Sequence, residues 1–293
     1  MSLLRHSIAA AALALTGGCA SVVPNYDWVA TNPVVAAPTE SQRNLMALPP
    51  PAQRVSVAVY NFSDQTGQFR DSDGTQSLSR AVSQGGTSIL VKALQDAGSR
   101  QWFQVVERER LENLLRERQI IREMRQRYLG ETEIDPDVLP SLLFAGVLLE
   151  GGVIGYDTNT LTGGAGARYL GVGAATQYRQ DTVTVYLRAV SVRTGEILTS
   201  VVARKTVASI AINANAFRFV SFRELLEAET GITTNEPDQV ALQQAVERAV
   251  QSLVIEGAQL GYWNFQDQAA AQPYIDAYDR ARHGELSSQL VSQ

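Results

Sequence analysis

The chain has 293 residues, a formal net charge of −5, two histidines and one cysteine. It carries no basic cluster to attract nucleic acid, cannot form a disulfide within the monomer, and has no apolar run of the ~18 residues a membrane-spanning helix needs. With His6 in the leader and His283 in a polar tail, His- or Cys-based catalysis and a His-rich metal site have almost nothing to draw on.

At the N-terminus, Arg5 and His6 form a short positive region, Ile8–Leu15 a brief apolar run, and Gly17–Gly18 the small residues a signal peptidase accepts. Residues 1–18 therefore read as a secretory signal. Cys19 is then either a buried thiol or a lipid acceptor, and its place directly behind a signal favours lipid. Thr16 stands where bacterial lipoproteins usually carry Leu, so the motif is imperfect. Several acyl chains on Cys19, palmitate among them, would make anchoring effectively permanent. Ala20 in place of an Asp favours the outer membrane. Residues 19–51, with Pro24, Pro33, Pro38, Pro49, Pro50 and Pro51, read as an extended tether.

From Arg54 the pattern alternates, with Val55, Val57 and Val59 on one face of a predicted strand. A polar loop, Asp64–Thr75, leads into a helical stretch with Ala81, Ile89, Val91 and Leu94 that ends near Gly98. Trp102–Val106 reads as a strand. Arg110–Tyr128 is a helix by the spacing of Leu111, Leu114, Leu115, Ile121, Met124 and Tyr128. A short helix is expected around Leu139–Phe144, before Gly146–Tyr156, and a last helix over Pro237–Gly261 carries Val240, Ala245, Val246, Ala249, Val250, Leu253 and Val254. Strands interleaved with helices predict an α/β or α+β domain.

The stretch Thr160–Thr234 has a different pattern. Val172, Ala174, Thr176 and Tyr178 alternate with Gly173, Ala175, Gln177 and Arg179. Thr182–Val190 puts Val183, Val185, Leu187 and Ala189 on one face and turns back at Arg193–Thr194–Gly195. Ile210 and Ile212 alternate with Ala211 and Asn213, and Leu226–Thr233 alternates again, with Phe217, Phe219 and Phe222 as an aromatic cluster expected at the tip of this hairpin. Two readings stand: an antiparallel sheet with one buried face, or strands that face lipid on one side and water on the other. One chain has too few such strands to close a barrel, so the second reading requires several copies.

Enzymatic motifs are absent. Gly163–Gly173 resembles a phosphate loop only in its glycines, since no Gly-Lys-Ser/Thr follows. Glu107, Glu109 and Glu112 are better explained as a solvated helix start. Arg168 suits either a channel-lining charge or an interface anchor.

The ordered motifs Val57-Ala58-Val59-Tyr60-Asn61, Thr66-Gly67-Gln68-Phe69, Glu112-Asn113-Leu114-Leu115, Gly163 to Tyr169, Thr176-Gln177-Tyr178, Ser191 to Leu198, Phe217-Arg218-Phe219 and Thr234-Asn235-Glu236-Pro237 resemble those of the CsgG family of curli production assembly/transport components. The likeness runs from about Leu48 to Trp263. It implies a non-enzymatic outer-membrane lipoprotein without cofactors, in a ring of nine copies, each lending two hairpins to one barrel above a periplasmic vestibule. The implied activity is ATP-independent export of unfolded curli-type amyloid subunits by diffusion, with periplasmic and extracellular accessory factors.

Carried onto this chain, the resemblance divides it into a periplasmic α/β domain over 52–159 with a constriction loop at 70–81, a first transmembrane hairpin at 160–180, a periplasmic hairpin at 181–209, a second transmembrane hairpin at 210–234, a C-terminal helix at 235–262 and a polar tail at 263–293. Val172, Ala174, Tyr178, Ile210, Ile212 and Ala228 would face lipid, and Gln177, Asn213, Glu227 and Glu229 the lumen. The constriction falls on Ser72, Asp73, Gln76, Ser77 and Leu78, with Leu78 where the family places a Phe ring and Ser77 where it places an Asn. A periplasmic lipoprotein of the same fold that forms no pore is the alternative.

Overall fold

The computed structural model describes residues 35–66, 85–163, 176–213, 216–220 and 236–284. Contacts separate Met1–Ala37 from Pro38–Gln293. Of the first unit, residues 35–37 are described and lie outside helix and strand.

The second unit is built on one mixed six-stranded sheet. In chain order its elements are α1 (Glu40–Met46), β1 (Val55–Asp64), α2 (Gly86–Asp96), β2 (Phe103–Glu107), α3 (Leu111–Leu129), β3 (Val147–Gly163), β4 (Thr176–Ser191), β5 (Ile197–Asn213), β6 (Ala216–Val220), α4 (Glu236–Gln259) and α5 (Gln268–Arg282). The strand order is β2-β1-β3-β4-β5-β6. β1 runs parallel to both β2 and β3, and every later pairing is antiparallel. No described helix is long and apolar enough to cross a membrane.

Packing follows the residue pattern. The alternating Val183, Val185, Leu187 and Ala189 of β4 are all buried, as their spacing predicts. α4 lies against β4 and β5, α2 against β1 and β2, and the two helices touch. α4 brings Leu242, Val246, Val250, Leu253 and Val254 into the core at helical spacing. Each such fully buried aliphatic side chain contributes about 1.5–3 kcal/mol from its removal from water.

Three boundaries differ from the sequence expectation. The end of the supposed tether belongs to the body: Thr39 caps α1, its Oγ1 accepting from the Gln42 N–H at 3.0 Å, and Leu45 and Leu48 are buried. The supposed polar tail begins with buried Trp263 and Phe265 and then forms α5, capped by Asp267, whose Oδ1 accepts from the N–H groups of Ala269 and Ala270 at 2.9 and 3.1 Å. The helix expected around Leu139–Phe144 does not form. A residue before proline disfavours helical dihedrals, so Pro140 works against a helix through Leu139, and the Leu143 carbonyl accepts from Arg108 Nη2 at 2.9 Å.

α3 is the helix that its stripe predicts, yet none of its residues is buried. The segment that follows it covers one side, through a two-bond pair of Arg125 Nε and Nη2 with Glu131 at 2.7 and 2.5 Å, and through Arg118 Nη2 donating to the Pro140 carbonyl. The other side leaves Ile120, Met124 and Tyr128 in solvent, Tyr128 at 69% exposure.

Candidate functional site

β3, β4 and β5 are much longer than the body they cross. The last described buried side chains toward their far ends are Tyr156 on β3, Asp181 on β4 and Val207 on β5. Past them the backbone ladder continues, from Asn159 opposite Gln180 to Gly163 opposite Thr176, and as far as Tyr178 opposite Ile210 on the β4–β5 side. At about 3.3 Å per residue, 159–163 alone advance roughly 16 Å beyond these last described buried side chains. On the face of the sheet opposite Val183, Val185 and Ala203, polar partners span the strands: Thr182 Oγ1 lies 3.0 Å from Thr206 Oγ1, and Arg204 Nε donates to Thr184 Oγ1 at 3.3 Å.

Among the described residues the projecting sheet has two open edges. β1 accompanies β3 only as far as Asp64 opposite Val153, and the Gln65 N–H closes that contact on the Val153 carbonyl at 2.8 Å. Among the described residues no strand pairs with this edge of β3 past Val153, and none pairs with the outer edge of β6.

The sequence-derived site residues fall partly on these strands. Gln177 and Tyr178 are in β4, and Ile210, Ile212 and Asn213 in β5. By backbone register Leu161, Tyr178, Ile210 and Arg218 form one row across the four strands. Phe217 and Phe219, expected at the hairpin tip, are the second and fourth residues of the strand that returns alongside β5. They belong to β6, opposite Ala211 and Ser209, so the return strand begins by Ala216 and the aromatic residues sit in its ladder. Cys19, Ser72, Asp73, Gln76, Ser77, Leu78, Val172, Ala174, Phe222, Glu227, Ala228 and Glu229 lie outside the described residues. The described residues also hold no His/Cys/Asp/Glu group arranged to bind a metal.

A buried polar network, absent from the sequence expectation, ties α1 to α4. Glu247 of α4 is only 3% exposed and accepts from Thr39 Oγ1 at 2.5 Å and from Gln243 Nε2 at 2.8 Å. Gln42 Nε2 donates to Asp96 Oδ2 at 2.7 Å, and Lys92 pairs with the same carboxylate. The signal was present as Thr39-Glu40-Ser41-Gln42, a capping-box spacing ahead of Leu45. Burial holds the Glu247 carboxyl above the ordinary carboxylate range, with Asp96 adding to that rise, while the Thr39 and Gln243 hydrogen bonds and Lys92 oppose it.

The folded state thus retains the Glu247 proton more tightly than the unfolded chain. The associated stability is complete below the unfolded pKa of about 4.3 and is lost as pH rises through the higher folded value. Glu247→Gln is expected to flatten that fall in Tm with rising pH and to match or exceed the wild type at pH ~8. Thermal melts across a pH series measure it. A parallel Tm loss at every pH would show that the carboxylate itself is needed.

These features define a mixed α/β domain whose sheet runs on as paired, open-edged strands. The chain belongs to the CsgG family: the family model described as Curli production assembly/transport component CsgG matches residues 39–279. The curli production assembly/transport component of Escherichia coli K12 is 41% identical over 262 residues, which is 89% of this chain and 91% of that protein. The component of the same name from Salmonella typhimurium strain LT2 matches at the same identity and coverage. Among solved structures, protein XCC0632 of Xanthomonas campestris is similar at 11% identity and a TM-score of 0.35, covering 78% of this chain and 94% of its own.

Proposed function

We propose that this chain is the subunit of a lipid-anchored outer-membrane ring whose projecting hairpins close one β-barrel, through which unfolded curli-type amyloid subunits leave the periplasm. The observation that supports this reading is the pair of edges without a strand partner among the described residues, on β3 beyond Val153 and on β6. In hydrocarbon every backbone N–H and C=O needs a partner, so strands cross only as a closed barrel. Two different edges on one copy make a heterologous contact, and repetition of such a contact about an axis closes a ring. The β6 edge of one copy would then pair with the β3 edge of the next, nine copies completing the circle as the family resemblance implies.

In this assembly Cys19 carries the acyl chains, and Val172, Ala174, Tyr178, Ile210, Ile212 and Ala228 meet lipid. Gln177, Asn213, Glu227 and Glu229 give the lumen a polar, acidic lining. The segment containing Ser72, Asp73, Gln76, Ser77 and Leu78 narrows the channel, with a collar of leucines that restricts leakage while an unfolded chain slides past. Transport is diffusive, because the periplasm supplies no ATP. Confinement reduces the conformational entropy of a captured chain, and release outside restores it. Periplasmic and extracellular accessory proteins are the natural partners.

The anchor makes a direct test. Cys19→Ala is expected to leave the protein in the soluble periplasmic fraction, with no single-channel events from its extracts in planar bilayers. Normal rings and channels from Cys19→Ala protein would remove lipidation from the mechanism.

A further inference from the structure

The described stems on either side of the segment assigned to the constriction meet at one residue. Phe62 is buried in β1, just past a shift in the β1–β3 register between Val59 and Phe62. Its N–H donates at 3.0 Å to Oγ1 of Thr87, itself buried in the first turn of α2. Phe62 therefore leads into the loop and Thr87 follows it, and one hydrogen bond joins them over a separation of 25 residues.

The Phe62 ring is held from both sides by glycines. A Cβ on Gly86 would come within 2.8 Å of Phe62 Cδ1 and 2.9 Å of its carbonyl oxygen. A Cβ on Gly151 of β3 would come within 2.8 Å of Phe62 Cε2 and 2.5 Å of the Tyr186 carbonyl oxygen. Both glycines are required for this close approach, because any side chain would displace the ring or a backbone oxygen. On the solvent side Gln65 Nε2 donates to Tyr186 Oη at 3.1 Å, fastening the leading end of the loop to β4. The strands that project from the sheet and the loop between Thr66 and Gly85 thus share one root.

We propose that Phe62, Thr87, Gly86 and Gly151 form a clasp that fixes where each copy presents its constriction loop. The inference rests on the channel reading. A ring of loops defines a constant aperture only if every copy holds its loop at the same height and radius. A hydrogen bond between the two stems and a ring seated between glycines supply that constraint at the level of the single chain. Thr87 and Phe62 are positioning residues and touch no cargo.

The experiment compares Thr87→Val, which keeps the shape but removes the acceptor, with Thr87→Ser, which keeps the acceptor. Tyr186→Phe, at the exposed end of the same root, serves if Thr87→Val does not fold. Each protein is extracted in detergent and examined in two ways. The first is the width of the single-channel conductance distribution in planar bilayers. The second is the rate of trypsin cleavage at Arg70 and Arg80, read by mass, which follows the population in which the loop ends have separated.

Thr87→Val is expected to widen the conductance distribution about twofold and to speed cleavage at least about fivefold, because it leaves a buried N–H without its acceptor. Thr87→Ser is expected to match the wild type in both. A Thr87→Val protein that melts earlier but keeps wild-type conductance and cleavage would make Thr87 an ordinary core residue and overturn the proposal. Wild-type protein that conducts nothing would instead overturn the channel reading, while the cleavage comparison still decides the clasp.

Discussion

Trp102→Ala is expected to destabilise the protein by roughly 3–5 kcal/mol, lowering Tm by about 6–20 °C. Trp102 is fully buried, and its indole Nε1–H donates to the Pro49 carbonyl at 2.8 Å. The ring meets Phe265 edge-on with centroids 4.9 Å apart. One side chain therefore joins the strand region to the end of the N-terminal segment and to the start of the C-terminal one. Alanine would leave a cavity between three parts of the chain and an unpaired carbonyl beside it. Trp102→Phe, which keeps a ring and loses the hydrogen bond, should fall between alanine and the wild type. Scanning calorimetry decides the matter. A Tm loss below about 2 °C for alanine would mean that residues 48–51 and 265 do not depend on this contact.

The second large effect concerns assembly. Replacing residues 210–234 with a short Gly/Ser connection is expected to abolish ring formation while leaving the body folded. The replacement keeps every described buried side chain of β5, the last of which is Val207. The change removes β6 and the far end of β5, and with them the edge that a neighbouring copy would use. Chromatography in detergent should show a folded small species, with Tm within a few degrees of the wild type. A variant that still elutes at ring size would place the subunit contacts in the body. The exposed Ile120, Met124 and Tyr128 of α3 would then be the first candidates.

Much of the architecture could be read from residue pattern, and the exceptions have physical causes. β4 was legible because Val183, Val185, Leu187 and Ala189 alternate strictly against one packed helix. β1 was legible only in outline: Val57, Ala58 and Val59 are all buried, because a strand in the interior of a sheet can bury both faces. The stripe on α3 located the helix correctly but not its environment, since apolar spacing cannot distinguish a stripe that meets a core from one left open. α1 and α5 were hidden by prolines. Pro38, Pro49, Pro50 and Pro51 surround α1, and Pro273 lies inside α5, although Thr39 and Asp267 were available as capping signals.

The site was legible in a different way. Alternation suggested paired strands beyond the body, and β3, β4 and β5 do run past the core. It could not place the second turn, because Ala211 to Ala216 reads as one continuous alternating strand while the ladder reverses by Ala216. Nor could it find the Phe62–Thr87 contact, which depends on a register shift and on two glycines brought together only by the fold. The Glu247 network needed three helices to converge, and only the capping box at one end of it was visible in the chain.

The central claim is that copies of this chain join edge to edge into a ring. Negative-stain electron microscopy of wild-type protein extracted from membranes in detergent tests it most directly. The account predicts closed rings with a stain-filled centre and a uniform number of subunits. A population of monomers or dimers, extracted intact and folded, would contradict it.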